Sequence, residues 1–390
     1  MAIHPDIKAI KKRIIETRRD FHKHPELAFQ EKRTSKIVYK KLKSFGIKTL
    51  KNIGKTGVVG ILKGNNPGKT IAFRADMDAL PIQETGNKPY KSVNNGVMHA
   101  CGHDAHTAML LGAAEVLSKK KEFINGEIRF IFQPAEEGYG GAKYMIKDGA
   151  IQDVNEIYGL HVWNYQKSGT IGIKSGAVMA AADIFTIKIK GIGGHGAAPQ
   201  GTVDSIVVAT HLIQALQTIV SRNTNPLEST VITIGQINGG YNFNIIADEV
   251  ILKGTTRSFS KKNQLLIKKR MKTIIKGIEK TYGAKIVLDY QDGYPPVINN
   301  ERITKKLIHA AKKIAGQNVV EPYLTMGGED FSYFSNQVPG CFFFLGSAPK
   351  NQKLMSTPHH CSHFDIDENA MLIGSSIFVE VALQNYNKSN

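Results

Sequence analysis

Three well-separated segments of the chain carry side chains that could bind a metal ion and activate a water molecule. They are His99-Ala100-Cys101-Gly102-His103-Asp104-Ala105-His106, the pair Glu136-Glu137, and the short segment Gly159-Leu160-His161. Together they offer a thiolate, several imidazoles, a carboxylate that could bind an ion and a second carboxylate that could act as a base. Because a hydrolytic metal site needs ligands for the ion and a base for the water, these residue types predict metal-dependent hydrolysis.

Cys101 and His103 are the first ligand candidates. They are two residues apart in a predicted turn, so both side chains can reach one small region. Thiolate and imidazole suit Zn²⁺ and, to varying degrees, Mn²⁺, Co²⁺ or Ni²⁺. An isolated Cys-x-His is more often a buried structural cysteine beside a hydrogen-bonded histidine. The metal interpretation is favoured here by the flanking residues His99, Gly102, Asp104 and His106.

The two adjacent glutamates suggest a division of roles. Two adjacent negative charges repel each other unless a positive group lies nearby. The ordinary alternative to a metal site is an acidic turn exposed to solvent. Here the pair follows an apolar segment that ends at Phe132 and is itself followed by Gly138. We assign Glu137 as a metal ligand and Glu136 as the general base, an order that the sequence pattern leaves open.

Three further segments are candidates for the same site. His161 ends a short apolar segment, where a lone histidine is more often structural, but the other candidates favour a ligand. The sequence His359-His360-Cys361-Ser362-His363 could supply a fifth ligand or form a polar surface loop. Asp76 and Asp78 follow the predicted strand that ends at Arg74. We expect Asp78 to hydrogen-bond a ligating histidine, while a capping or turn role explains Asp76 equally well.

Alternating strands and helices must position these residues. With 390 residues, the chain is long enough for two domains. Short apolar segments at 58–62, 70–74 and 127–132 alternate with helical segments and predict an α/β domain with a largely parallel sheet. In such sheets ligands bind beyond the carboxyl ends of the strands, where 76–78 and 136–137 both lie.

The pattern changes at about residue 183. A strand with one wet face is followed by a helix, two strands, a second helix and a last strand, which is the β-α-β-β-α-β order of a ferredoxin-like unit. The earlier pattern resumes after Pro295-Pro296. We therefore predict a catalytic domain in two parts, residues 1–182 and 295–390, with a smaller α+β domain, residues 183–294, inserted between them.

The inserted domain has three candidate residues of its own. His195 lies in the glycine-rich segment 191–199, which lacks the Gly-Lys-Ser/Thr ending of a phosphate-binding loop. This histidine could instead polarise a carbonyl or stabilise an oxyanion. Arg257 could clamp a substrate carboxylate or be a surface charge at a strand end. Asn244 lies in the same predicted domain.

Composition narrows the classes of partner. The net charge of +18 arises from 51 Lys and Arg against 33 Asp and Glu, but the basic residues are spread along the chain. Because no basic stripe carries interleaved aromatic residues, we predict no nucleic-acid partner, although the positive field could attract small anionic substrates. Three cysteines, an odd and sparse number, are typical of a reducing cytoplasm. Since no signal peptide or membrane-spanning apolar run is visible, we predict a cytoplasmic protein without a membrane partner.

An ordered series of motifs resembles the M20 metallopeptidase family, and most closely its amidohydrolase branch. That branch includes N-acyl-amino-acid amidohydrolases, hippurate hydrolases and the indole-acetyl-amino-acid hydrolases of plants. The matching segments span most of the chain: His24-Pro25-Glu26-Leu27, Gly54-Lys55-Thr56-Gly57, Arg74-Ala75-Asp76-Met77-Asp78-Ala79-Leu80-Pro81, Met98-His99-Ala100-Cys101-Gly102-His103-Asp104, Gln133-Pro134-Ala135-Glu136-Glu137-Gly138, Gly193-Gly194-His195-Gly196, Phe243-Asn244-Ile245-Ile246 and Gly328-Glu329-Asp330-Phe331.

The resemblance implies a catalytic domain of the zinc-aminopeptidase type, with an inserted lid domain through which two copies form a homodimer. It also implies two divalent metal ions per subunit, of Zn, Mn, Co or Ni. Five side chains would bind them, with the thiolate bridging: Cys101, His103, Glu137, His161 and His360. Glu136 would be the base, and His195 would stabilise the oxyanion in the partner subunit's site. Asn244 and Arg257 would contact the substrate.

The reaction implied by the resemblance is hydrolysis of the amide bond of an N-acyl amino acid, which releases a carboxylic acid and a free amino acid. A dipeptidase or carboxypeptidase that uses the same two-metal site is the alternative. Two positions depart from the family pattern. Relatives often have His-Ser-Pro or His-Asn-Pro where this chain has His360-Cys361-Ser362-His363-Phe364, so His360 is the best match, and His359 or His363 could replace it as a ligand. Ala247 stands where relatives often have proline.

Overall fold

The computed structural model describes residues 1–384, and contacts divide this part of the chain into two compact units. Unit 1 comprises Met1–Gly176, Ile298–Leu324 and the segment from Asp330 onward, and unit 2 comprises Ala177–Val297 and Thr325–Glu329. The predicted domain boundaries at 182/183 and 294/295 stay predictions. Residues 385–390 of the predicted last segment lie outside the described residues.

Regular elements occupy most of both units. The helices are α1 Pro5–Ala9, α2 Lys11–Lys23, α3 Lys32–Ser44, α4 His103–Ser118, α5 Gly141–Lys147, α6 Ser205–Thr218, α7 Lys261–Tyr282, α8 Glu301–Ala315, α9 Phe331–Ser335 and α10 Ala370–Leu383. The strands are β1 Lys48–Ile53, β2 Gly57–Lys63, β3 Asn66–Asp76, β4 Asn125–Gln133, β5 Glu156–Lys167, β6 Ile171–Gly172, β7 Gly176–Met179, β8 Ala181–Lys190, β9 Gly194–His195, β10 Thr230–Gly239, β11 Ile245–Ile246, β12 Glu249–Ser258, β13 Lys285–Tyr294, β14 Val297–Asn299, β15 Val319–Val320 and β16 Gly340–Ala348.

An eight-stranded sheet forms the centre of unit 1. Its strand order is β1-β2-β4-β3-β5-β16-β6-β15. The four middle strands β4, β3, β5 and β16 run parallel, while β1 and β2 are antiparallel to their neighbours. Because the middle strands are parallel, their carboxyl ends meet at one edge of the sheet. The residues that follow β3 and β4 therefore lie close to each other.

Helices cover the middle strands, which explains their continuous apolar sequences. All nine residues of β16 are buried. In the neighbouring strand β5, only Tyr165 and Lys167, near the carboxyl end, are not buried. Phe73 of β3 packs against Phe378 of α10, with ring centroids 5.1 Å apart. Helix α4 is also apolar on nearly all sides and lies between the sheet and other helices. A sheet buried in this way forms a rigid base for the side chains at its edge.

Unit 2 is a four-stranded antiparallel sheet with two helices. Its strand order is β10-β12-β8-β13, and α6 and α7 pack together against the sheet. Phe185, Ile187 and Ile189 of β8 are fully buried, while Ile184 is exposed, so one face of the strand forms the core. The chain order β8-α6-β10-β12-α7-β13 is the ferredoxin-like order that the sequence predicts.

The predicted fold class is therefore confirmed: an α/β unit is interrupted in sequence by an α+β unit. Within residues 1–384, every helix is too short or too polar to cross a lipid bilayer.

Candidate metal centre

The candidate ligands of unit 1 lie at the carboxyl edge of the sheet. Strand β3 ends at Asp76, strand β4 ends at Gln133 just before the glutamate pair, and His161 lies within β5. His103 is the first residue of α4, and Gly102 before it has a left-handed φ of 94°. A β-carbon on Gly102 would lie 2.3 Å from Val162 Cγ2, so the tight turn into α4 requires glycine.

Five predicted ligands form two groups that share one residue. Cys101, His103 and His161 form the first group. The second group consists of Cys101, Glu137 and His360. Within each group the potential ligand atoms all lie within 4.8 Å of one another. Because Cys101 belongs to both, the arrangement is the one that two ions with a common thiolate ligand would require.

His161 is oriented as a neutral ligand. Its Nδ1 lies 2.6 Å from the carbonyl oxygen of Val162, to which it can donate, and its Nε2 lies 3.3 Å from Cys101 Sγ. Burial, together with the neighbouring His106 and His359, holds the pKa of His161 well below its ordinary value. The lone pair on Nε2 therefore faces the thiol, as metal binding by both groups would require.

His103 supports the same conclusion from a different direction. This side chain is fully buried, and neither ring nitrogen makes a hydrogen bond within the described chain, although Nδ1 lies 3.3 Å from Asp78 Oδ1. A ring nitrogen that makes no hydrogen bond can bind a cation, so His103 fits a metal site.

Carboxylates give the cluster a negative field. Burial opposes protonation of His103, but the nearby Asp76 and Asp78 outweigh it and raise the pKa of the imidazole to about 10. Burial and the charges of Glu137 and Glu136 raise the pKa of the Cys101 thiol well above its usual value. A divalent cation would reverse both effects, because it stabilises the thiolate and competes with the proton for the imidazole.

Asp78 contacts both halves of the cluster. Its Oδ1 accepts the amide N–H of Glu136 at 3.0 Å, and its Oδ2 accepts the amide N–H of Glu137 at 2.9 Å. The same carboxylate lies beside His103. The sequence predicts a partner for a ligating histidine at this position, but not that Asp78 also fixes the backbone of the glutamate pair.

Three of the residues that flank the Cys-x-His motif have other surroundings. The Nδ1 of His106 contacts Asp76 Oδ1 at 2.5 Å, and its Nε2 accepts the amide N–H of Val162 at 2.9 Å, so both nitrogens are occupied. Asp104 accepts a hydrogen bond from the buried Arg18 at 2.8 Å. His99 is buried, and neither of its ring nitrogens makes a hydrogen bond within residues 1–384.

A buried network of ion pairs next to the candidate ligands is not predicted from the sequence. Arg74 is fully buried and donates to Asp76 Oδ2 at 2.7 Å and to Asp330 Oδ1 at 2.9 Å. Asp330 Oδ2 in turn accepts the amide N–H of Ala142, beyond the glutamate pair. Arg74 and Asp330 both lie in segments that carry the family resemblance, but nothing in the sequence pairs the one with the other. Asp76 is thus an ion-pair residue and neither a helix cap nor a simple turn.

The histidines near the C-terminus are distinguished by their contacts. His360 has a left-handed φ of 66°, and its Nε2 lies 3.1 Å from Glu137 Oε1. The Nε2 of His359 accepts the amide N–H of Asn164 at 3.2 Å, and its Nδ1 lies 3.8 Å from Cys101 Sγ. His363 Nε2 lies 3.0 Å from the carbonyl oxygen of Ser356. His360 therefore fits the fifth ligand position better than His359 or His363.

The three candidates of the inserted domain belong to unit 2. His195 is exposed on β9, which pairs with β11, and the amide N–H of Gly196 donates to the carbonyl oxygen of Asn244 at 2.8 Å. The structure thus brings the His195 and Asn244 segments together. Arg257 is half-buried, and its Nη1 donates to the carbonyl oxygen of Thr256 at 3.1 Å. The substrate roles of all three residues stay predictions.

Known proteins resemble this chain over nearly its whole length. A putative amidohydrolase of Bacillus subtilis, YhaA, is 44% identical over 95% of this chain and 94% of its own. Thermostable carboxypeptidase 2 of Saccharolobus solfataricus is 41% identical over 98% of both chains. The N-acetyl-L-cysteine deacetylase of B. subtilis is 41% identical over 97% of this chain and 89% of its own.

A solved structure gives the same answer for the fold. The YXEP protein of B. subtilis, described as a dinuclear metal-binding peptidase of the M20 family, superposes with a TM-score of 0.83 at 35% identity. The alignment covers 97% of this chain and 99% of that one. The sequence pattern of peptidase family M20/M25/M40 matches residues 72–384. This chain therefore belongs to peptidase family M20/M25/M40 and is a hydrolase that acts on amide bonds.

Proposed function

We propose that this protein hydrolyses the amide bond of N-acyl amino acids and releases a carboxylic acid and a free amino acid. The observation that carries the proposal is the pair of ligand groups that share Cys101, with Glu136 beside them as a carboxylate outside both groups. Relatives named amidohydrolase and N-acetyl-L-cysteine deacetylase support this substrate class over most of the chain.

Two divalent ions, of Zn, Mn, Co or Ni, are the proposed cofactors, with Cys101, His103, Glu137, His161 and His360 as their ligands. Such ions supply two effects at a site of this kind: they polarise the amide carbonyl and lower the pKa of a water molecule. The fit rests on the unpartnered nitrogens of His103, the orientation of His161 and the shared thiolate.

Glu136 is the proposed general base. Its side chain is 6% exposed, and its Oε1 lies 3.4 Å from the amide nitrogen of Asp330. The backbone amide of Glu136 donates a hydrogen bond to Asp78, which fixes the main chain that carries the carboxylate. In this role Glu136 takes a proton from the attacking water and delivers it to the amide nitrogen as the carbon–nitrogen bond breaks. The proton thus ends on the amino group of the released amino acid.

The residues of unit 2 are proposed to act on the substrate. His195 would donate a hydrogen bond to the developing oxyanion, in the site of a partner subunit, and Asn244 would contact the same substrate. Arg257 would bind the substrate carboxylate with its planar guanidinium group. Assembly as a homodimer through unit 2 and a location in the cytoplasm complete the proposal.

A carboxypeptidase or dipeptidase activity at the same site is the alternative, which the carboxypeptidase relative favours. The two functions differ at the amino end of the substrate. An N-acyl amino acid carries no positive charge there, whereas a dipeptide carries an ammonium group.

One screen separates these functions. Metal-free protein is refilled with Zn²⁺, Mn²⁺, Co²⁺ or Ni²⁺, and the release of free amino acid is measured from N-acetyl, N-benzoyl and indole-acetyl amino acids and from dipeptides. We expect the highest kcat/KM on an N-acyl amino acid. Faster hydrolysis of dipeptides would establish the alternative, and no hydrolysis with any ion would refute both. The Glu136→Gln protein serves as the control for contaminating hydrolases.

A further inference from the structure

The glutamate pair follows a residue with an unusual backbone. Ala135 is fully buried and has a left-handed φ of 54°. A residue other than glycine held in this conformation costs on the order of 1–3 kcal/mol unless its surroundings impose it. Both of its peptide groups are hydrogen-bonded, because its carbonyl oxygen accepts the amide N–H of Gly141 at 2.9 Å and its own amide has a partner described next.

That partner is the carboxylate of Glu31, which lies 104 residues earlier in the chain. Glu31 Oε1 accepts the amide N–H of Ala135 at 2.9 Å and the amide N–H of Phe29 at 3.0 Å. Glu31 Oε2 accepts the hydroxyl of Thr56 at 2.5 Å. Although Glu31 directly precedes α3, its side chain does not cap that helix. The carboxylate is thus directed at the turn that carries the proposed base.

Glu31 is a costly group to place here. It is fully buried, and the three donors that it contacts are neutral. Burial, helped by the negative charge of Asp78, raises the pKa of Glu31 to about 7. An apolar residue of similar size would avoid this burial cost, but it would leave the amide of Ala135 without an acceptor.

We propose that Glu31 is a positioning residue of the reaction: its carboxylate holds Ala135 in the left-handed conformation and thereby aims Glu136 and Glu137. Two buried carboxylates then hold three successive amides, Glu31 that of Ala135 and Asp78 those of Glu136 and Glu137. The inference rests on the proposed roles of Glu136 and Glu137. The proposed role of Glu31 is geometric, since it depends on an acceptor atom within hydrogen-bond distance of the Ala135 amide.

Two substitutions separate the effect of the length of the Glu31 side chain from the effect of its charge. Glu31→Gln keeps the length of the side chain and its acceptor oxygen, and its amide group can donate to the Thr56 hydroxyl, which can rotate to accept. Glu31→Asp keeps the charge but is one methylene shorter, so it cannot contact Ala135 and Thr56 as Glu31 does. Glu26→Asp is the matched control, because Glu26 also holds two amides, those of Arg33 and Thr34, at the start of α3.

The measurements are kcat, KM and metal content per folded subunit on the best substrate of the screen. We expect Glu31→Gln to keep kcat within threefold of the wild type. Glu31→Asp should lose on the order of 10–100-fold in kcat with little change in KM, the size seen when a supporting hydrogen bond is removed from a metal site. The control should lose stability without losing kcat. Glu31→Asp therefore separates a positioning role from a general effect on folding.

Equal kcat values for the Asp and Gln variants, or a better Asp variant, would overturn the proposal. If Glu31→Asp does not fold, the Gln variant still decides, because a loss of more than threefold in its kcat contradicts a purely geometric role. Failure of the proposed function gives a different result: the wild-type protein itself would then release no amino acid from any substrate.

Discussion

The candidate metal ligands of unit 1 and the candidate substrate residues of unit 2 are held in very different ways. Cys101, His103 and His161 are 8%, 0% and 5% exposed and lie at the edge of a buried parallel sheet. His195 and Asn244 are exposed, and the strands that carry or adjoin them, β9 and β11, have two residues each. Metal binding should therefore be a property of unit 1, while turnover should require both units.

This contrast can be tested by asking which variants lose metal and which lose only turnover. Buried ligands that are already oriented need little rearrangement to bind an ion. Exposed side chains on short strands contribute to turnover only when they contact the bound substrate. Metal content and kcat are the two quantities to compare in each variant below.

The largest effect is expected for Glu136→Gln. The substitution keeps the size of the side chain but removes the base, so kcat should fall by about 10³-fold, within the range that general bases contribute. Glu136 lies outside the two ligand groups that share Cys101, although its carboxylate is also within 4.8 Å of ligand atoms of His103 and Glu137. If it is the base and not a ligand, metal content should stay at the wild-type value. Elemental analysis and single-turnover kinetics measure the two quantities. Loss of metal from this variant as well would show that Glu136 is a metal ligand.

The next largest effect is expected for His360→Ala. This side chain completes the second ligand group, so its loss should remove about one ion per subunit and lower kcat on the order of 10²-fold. His363→Ala is the matched control, because His363 contacts the carbonyl oxygen of Ser356 instead. If His359→Ala removes an ion and His360→Ala does not, His359 is the ligand and the assignment must be exchanged.

An effect on turnover of about the same size, without any effect on metal content, is expected for His195→Ala. Loss of one oxyanion donor costs about 10²-fold in kcat. His211→Ala provides a control in the same unit, since His211 stacks on Tyr282 and belongs to α6. We expect the two proteins to bind equal amounts of metal. Loss of metal from His195→Ala would contradict the separation of roles between the two units.

The sequence predicts those parts of the structure that local patterns encode. The alternation of Phe185, Ile187 and Ile189 identifies a half-buried strand, and this strand forms the centre of the ferredoxin-like sheet. The ligand candidates of unit 1 are also visible, because Asp78 and Glu137 follow apolar strands whose ends meet only if the strands are parallel.

The supporting residues are invisible for a physical reason. Glu31 and Ala135 are 104 positions apart, and Arg74 and Asp330 are 256 apart, so no local spacing links the partners. The choice among His359, His360 and His363 depends on which group each ring contacts, and His360 itself has a left-handed backbone. Such backbone conformations follow from tertiary contacts and not from the residue types.

The smallest effect on turnover, and one that acts on stability, is expected for Glu31→Gln. The ordinary pKa of this carboxyl is 4.5 and its pKa in the folded protein is about 7. Between these values the folded protein keeps a proton that the unfolded chain releases, so the free energy of unfolding of the wild type falls as pH rises from 4.5 to 7. Glutamine does not titrate, so the stability of the variant relative to the wild type should rise by up to about 3 kcal/mol between pH 4 and pH 8. Urea denaturation of the two metal-free proteins at both pH values measures the difference, in which titrations common to both cancel. A difference that is independent of pH would show that Glu31 titrates with the same pKa in the folded protein as in the unfolded chain, so that burial does not raise its pKa.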